Sequence, residues 1–156
     1  MEISDLLSPD AVVPALKVQS KKQLLQELAN RAQAVTHLPE RKIFEVLTER
    51  ERLGSTGVGQ GIAIPHGRLP VEKIAGVFAR LEQPIAYEAV DGQPVDLIFM
   101  LLAPENAGAD HLKALARVSR LLRNQTVCEK LRAAKNPEAI YAILTAPQNG
   151  STAHAA

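Results

Sequence analysis

Cysteine is almost absent: Cys128 is the single thiol in 156 residues, which excludes an internal disulfide and a multi-cysteine zinc site. A surplus of either charge is missing as well. Eighteen basic side chains stand against seventeen acidic ones, and no basic run interleaved with aromatics occurs, so nucleic acid is not an expected partner. The longest apolar run, residues 97–103, is far short of the roughly 20 residues that a membrane-spanning helix needs. Direct membrane insertion is therefore not expected. The opening Met1-Glu2-Ile3-Ser4-Asp5 has neither the basic nor the apolar segment of a secretory signal. The expectation is a soluble, cytoplasmic protein.

What is present suits one compact domain, since 156 residues at 46% hydrophobic content can bury one core but not two. Ser20 with Gln23 reads as a capping box, and Leu24, Leu28, Ala32 and Val35 follow at helical spacing. Pro39 suits the start of a second helix with Ile43, Phe44 and Leu47 on its apolar face, Arg50 and Glu51 in its last turn and Gly54 beyond its end. Ile62 and Ile64 suggest a short strand ending at His66, and Val77, Ala79 and Leu81 a further one. Asp91-Gly92 marks a turn, and residues 95–103 form an apolar strand expected to lie buried on both faces at the centre of a sheet. Leu112, Leu115, Ser119 and Leu122 predict a helix capped by Asp110, with His111 in its first turn. Thr126 with Glu129 predicts another capped helix, and Asn136-Pro137 opens a last one carrying Ile140, Tyr141 and Leu144. The pattern predicts a single α/β domain over residues 1–145, a mixed β-sheet flanked on both faces by α-helices, followed by a flexible tail at 146–156.

Glycines crowd the segment GSTGVGQGIAIPHGR, residues 54–68. Glycine-rich loops often cradle nucleotide phosphates, but this one fits neither nucleotide motif. No lysine lies between Lys42 and Lys73, so a Walker loop is excluded, and Ile62 stands where a dinucleotide fingerprint needs its third glycine. Ser55 is not in a nucleophile elbow. What remains is a single histidine between Pro65 and Gly67, a rigid neighbour and a permissive one, that could present its ring at the surface. A neutral imidazole is nucleophilic near pH 7 and passes a phosphoryl group onward readily. Arg50 and Arg68 are candidate cations for such a group, Ser55 and Thr56 further candidate phosphate contacts, and His111 at a helix start a candidate donor. On spacing alone His66 could equally be a packing residue, His111 part of a polar cap, Arg50 a solvated helix end and the glycines a structural turn. His37 and His154 suggest no role.

The run RERLGSTGVGQGIAIPHGR, with DHLKALARVSRLLRN and TVCEKLRAA, resembles the enzyme IIA family of the bacterial phosphotransferase system, mannitol/fructose type, in its nitrogen-regulatory branch. The resemblance spans Ile3 to Leu144. It implies that His66 is the phosphoryl acceptor, that His111 is the second active-site histidine, and that Arg50 in the Arg-Glu element stabilises charge. It also implies a mixed sheet sandwiched by helices and a histidine-phosphorylated donor of the HPr type, here its nitrogen-branch counterpart; no cofactor and no metal are expected. Regulatory targets such as kinases or potassium transport components, tied to nitrogen metabolism and potassium homeostasis, complete the implied partners. Two other functions stay open at this point. One is a sugar-pathway transferase serving a mannitol or fructose permease, and the other a degenerate domain that only docks to partners.

Overall fold

The computed structural model describes residues 1–147; the expected tail from 146 onward lies, apart from Ala146 and Pro147, outside them. A short helix α1 (Ile3–Leu6) and a 3-10 turn lead into strand β1 (Val12–Leu16), followed by α2 (Lys21–Thr36) and α3 (Glu40–Arg52). Strands β2 (Gly57–Gly59), β3 (Ile62–Ala63), β4 (His66–Leu69), β5 (Ala75–Ile85) and β6 (Val95–Pro104) come next, and α4 (Ala109–Leu122), α5 (Gln125–Ala133) and α6 (Pro137–Thr145) complete the described chain. Neither α1 nor β1 was foreseen from the sequence pattern.

The sheet runs β1-β5-β6-β3-β2, with β4 also on β6. Its pairing is mixed: β6 lies antiparallel to β5 and parallel to β3 and β4, as the apolar pattern of residues 95–103 leads one to expect. Leu97 to Ala103 are all buried, which places this strand at the centre with cover on both faces. Helices α2 and α3 pack on one another and on β5 and β4, whereas α4 and α6 pack on β6 and β1. That Gly67 turns toward α3 while its neighbour His66 meets α4 puts these two helix groups on opposite faces of the sheet. None of the helices among the described residues is long and apolar enough to cross a membrane.

Local chemistry explains most of the element boundaries. Ser20 caps α2 by accepting from the Gln23 N–H at 3.1 Å, but Gln23 Oε1 returns to the Gln19 N–H and not to that of Ser20. Asn136 caps α6 with Pro137 in its first turn. Three expectations need correction. Helix α5 is capped by Asn124, whose side chain accepts from Val127 N–H, so Thr126 sits inside the first turn. Helix α4 begins at Ala109 after Gly108, whose φ of +38° is reached readily only without a side chain; Asp110 is thus helical and exposed, not the cap. The buried face of α4 is also rotated: His111, Ala114, Val118 and Leu121 turn inward and Leu122 is buried as expected, while Leu112 is 67% exposed.

Candidate functional site

His66 opens β4; it does not end the strand before it. Ile62 and Ala63 pair with Leu97 and Ile98, and His66 to Leu69 pair with Leu101 to Pro104 in unchanged register. The interruption at Ile64-Pro65 follows from the missing Pro65 N–H, while the Pro65 carbonyl still accepts from Leu101 N–H at 3.0 Å. The histidine is therefore anchored to the central strand just where the ladder resumes. On the opposite face, Gly67 leaves room for the Val46 side chain of α3, with which a Cβ would collide.

The Nδ1 of His66 lies 2.8 Å from the Ile64 carbonyl oxygen. A carbonyl can only accept, so Nδ1 carries the proton and Nε2 keeps its lone pair. Burial holds the ring below the ordinary imidazole pKa; the Ile64 contact opposes this, Arg50 pushes the same way as burial, and Glu51 opposes it. The ring is thus neutral and nucleophilic at neutral pH.

His111 meets His66 edge to face, with ring centroids 5.6 Å apart. It is only 6% exposed, and its Nε2 is buried without a partner among the described residues. Its Nδ1 accepts from Arg68 Nε at 3.2 Å. Burial, then the neighbouring His66 and Arg68, hold this ring below its ordinary pKa too. Arg68 is two residues past His66 on β4, so both side chains leave the same face of the strand.

Arg50, in the last turn of α3, donates from Nη1 to the Gly54 carbonyl at 2.9 Å. Ser55 and Thr56 also lie in this turn, but their hydroxyls are already engaged. Ser55 donates to the Tyr87 carbonyl and accepts from Gly57 N–H, while Thr56 bonds to Glu51 and Tyr87.

Sequence reasoning missed the group that holds the turn. The Glu51 carboxylate, 6% exposed, pairs with Lys21 Nζ at 2.9 Å and accepts from Thr56 N–H at 3.1 Å and from the Tyr87 hydroxyl at 3.2 Å. Lys21 also sits 4.4 Å over the Tyr87 ring. A buried carboxylate demands such partners, because an unpaired one carries a desolvation cost of several kcal/mol. Burial, and after it Glu51, push the Tyr87 hydroxyl pKa upward, so it remains a donor. The only sequence signal was the Arg50-Glu51 pair itself, since Lys21 and Tyr87 are remote in the chain. Among the described residues no cluster of histidine, cysteine and acidic side chains could hold a metal ion.

Residues 5–146 match the family described as the phosphoenolpyruvate-dependent sugar phosphotransferase system, EIIA 2. The chain is 62% identical over 148 residues to a nitrogen regulatory protein of Bradyrhizobium diazoefficiens, covering 94% of this chain and 97% of that relative. To the nitrogen regulatory protein of Escherichia coli K12 it is 42% identical, covering 93% and 90%. The crystal structure of nitrogen regulatory protein IIA-Ntr from Neisseria meningitidis superposes with a TM-score of 0.87 at 40% identity, covering 92% of this chain and 99% of that one.

Proposed function

Because the chain belongs to the EIIA 2 family of the phosphoenolpyruvate-dependent sugar phosphotransferase system, we propose that it is a phosphoryl-relay regulator whose His66 takes the group from an HPr-like carrier. The observation that carries this reading is the complementary pair of rings: a neutral His66 with Nε2 bare, beside a His111 whose buried Nε2 has no partner. In the transfer, the His66 Nε2 lone pair forms the new N–P bond while the P–N bond to the carrier's imidazole breaks and returns its electron pair to that ring. Neither reacting nitrogen needs to lose a proton first.

Charge on the transferring oxygens is met by His111 and by Arg50, which is near enough to bias the His66 pKa. The first turn of α4, the positive end of its dipole, adds to this. Arg68, on the His66 face of β4, reaches the site through its bond to His111, and Ser55 and Thr56 contribute by shaping the turn that carries Arg50. No cofactor is required. The name shared by the related nitrogen regulatory proteins supports a regulatory role, which this reading places in the cytoplasm and assigns to the difference between the phosphorylated and unphosphorylated forms. Kinases or potassium transport components are the proposed targets.

The test is incubation with phosphorylated carrier, with mass spectrometry of the acid-labile adduct. A single label on His66, absent from a folded His66→Ala variant, is the expected result. Label that persists in this variant would put the nucleophile elsewhere.

A further inference from the structure

We propose that Arg68 is a positioning residue that holds His111 in the tautomer bearing its proton on Nε2, so that the ring offers the phosphoryl group a donor and not a lone pair. For its consequence in transfer this rests on the relay reading above; for the tautomer it rests on geometry alone. Arg68 Nε lies 3.2 Å from His111 Nδ1. A guanidinium has five N–H groups, no acceptor, and no accessible deprotonated form, so the ring nitrogen facing it must accept. A neutral imidazole that accepts at Nδ1 carries its hydrogen on Nε2, the buried atom without a partner among the described residues.

The opposite tautomer would set two N–H groups against each other at Arg68. It would also present a lone pair to phosphoryl oxygens, which are acceptors only. In water an imidazole exchanges tautomers freely, so one fixed donor is enough to bias the choice. The strand supplies that donor through its register, since His66 pairs with Leu101 and Arg68 with Ala103 on the same β6 neighbour. One four-residue strand thus presents both the nucleophile and the group that orients its helper.

The experiment combines long-range proton–nitrogen NMR of the His111 ring in the unphosphorylated protein with initial rates of labelling by phosphorylated carrier. Wild type should show a single Nε2–H form. Arg68→Met should show a tautomer mixture and label about tenfold more slowly, the loss of one part-buried hydrogen bond. Arg68→Lys, which can donate but not accept, should restore the single form and much of the rate. In a His111→Gln background, which has no ring tautomer, Arg68→Met should cost little more. A wild-type proton on Nδ1 would overturn the proposal. So would an equal loss on Arg68→Met in both backgrounds, which would make Arg68 a direct phosphoryl contact. If wild type takes no label at all, the relay reading fails, and the ring spectrum still decides whether Arg68 orients His111.

Discussion

At the scale of residues, the two histidines divide the work because different neighbours occupy their Nδ1 atoms. The Ile64 carbonyl takes a hydrogen from His66, whereas the Arg68 guanidinium gives one to His111. On the relay proposed above, His111 supports the transfer and His66 carries the group. His111→Ala should still label at His66, but on the order of a hundredfold more slowly, the usual effect of removing a preorganised donor. His111→Gln should recover part of that rate, because its amide restores a donor. Arg50→Ala should slow labelling without changing its site. The initial rate of each variant, with circular dichroism to check folding, tests these roles; an unchanged rate in His111→Ala would reduce that ring to a packing residue.

Among the elements, α3 and β4 are held together at Gly67. A Cβ there would overlap Val46 Cγ1, and a well-packed contact of this kind tolerates no extra methyl without a shift costing roughly 1–3 kcal/mol. The helix that must move carries Arg50 and Glu51 in its last turn. Gly67→Ala should therefore lower both urea stability and labelling rate, and Val46→Ala in the same chain should restore a good part of each. If the second substitution gives no recovery, the glycine is required for some reason other than room for Val46. Helix α4 shows what spacing can and cannot supply. Its leucines at 112, 115 and 122 mark a helix correctly, yet the buried face is centred on His111, Ala114, Val118 and Leu121 and leaves Leu112 exposed, which spacing alone did not show.

For the molecule as a whole, one partly buried and one buried imidazole make folding sensitive to mild acid. Both rings bind protons more weakly in the folded chain than in an unfolded one, where the pKa is about 6.5. Below that pH the unfolded chain takes up more protons, so the stability these rings contribute is present above 6.5 and is lost as pH falls through their lowered folded values. The melting temperature should fall from about pH 6.5 downward, and its slope down to about pH 5, above most carboxylate titration, should be shallower in His111→Gln. An identical slope would assign the acid sensitivity to other groups.

The amino-acid sequence determined the α/β class, the buried strand at 95–103, the caps at Ser20 and Asn136, and the candidate histidines, because these depend on local periodicity, on side chains within one turn of their partners, or on a contiguous motif. It also pointed to Arg50, which lies in the same segment. Only the tertiary structure decided that Glu51 is a buried anchor shared by Lys21, Thr56 and Tyr87, and that Arg68 meets His111 across 43 residues of chain. It alone decided which ring nitrogen carries each proton. The physical reason is the same in all three cases: a tautomer, a buried charge and a side-chain register are set by atoms facing one another across the sheet and its helices, and no spacing along the chain encodes which atoms those will be.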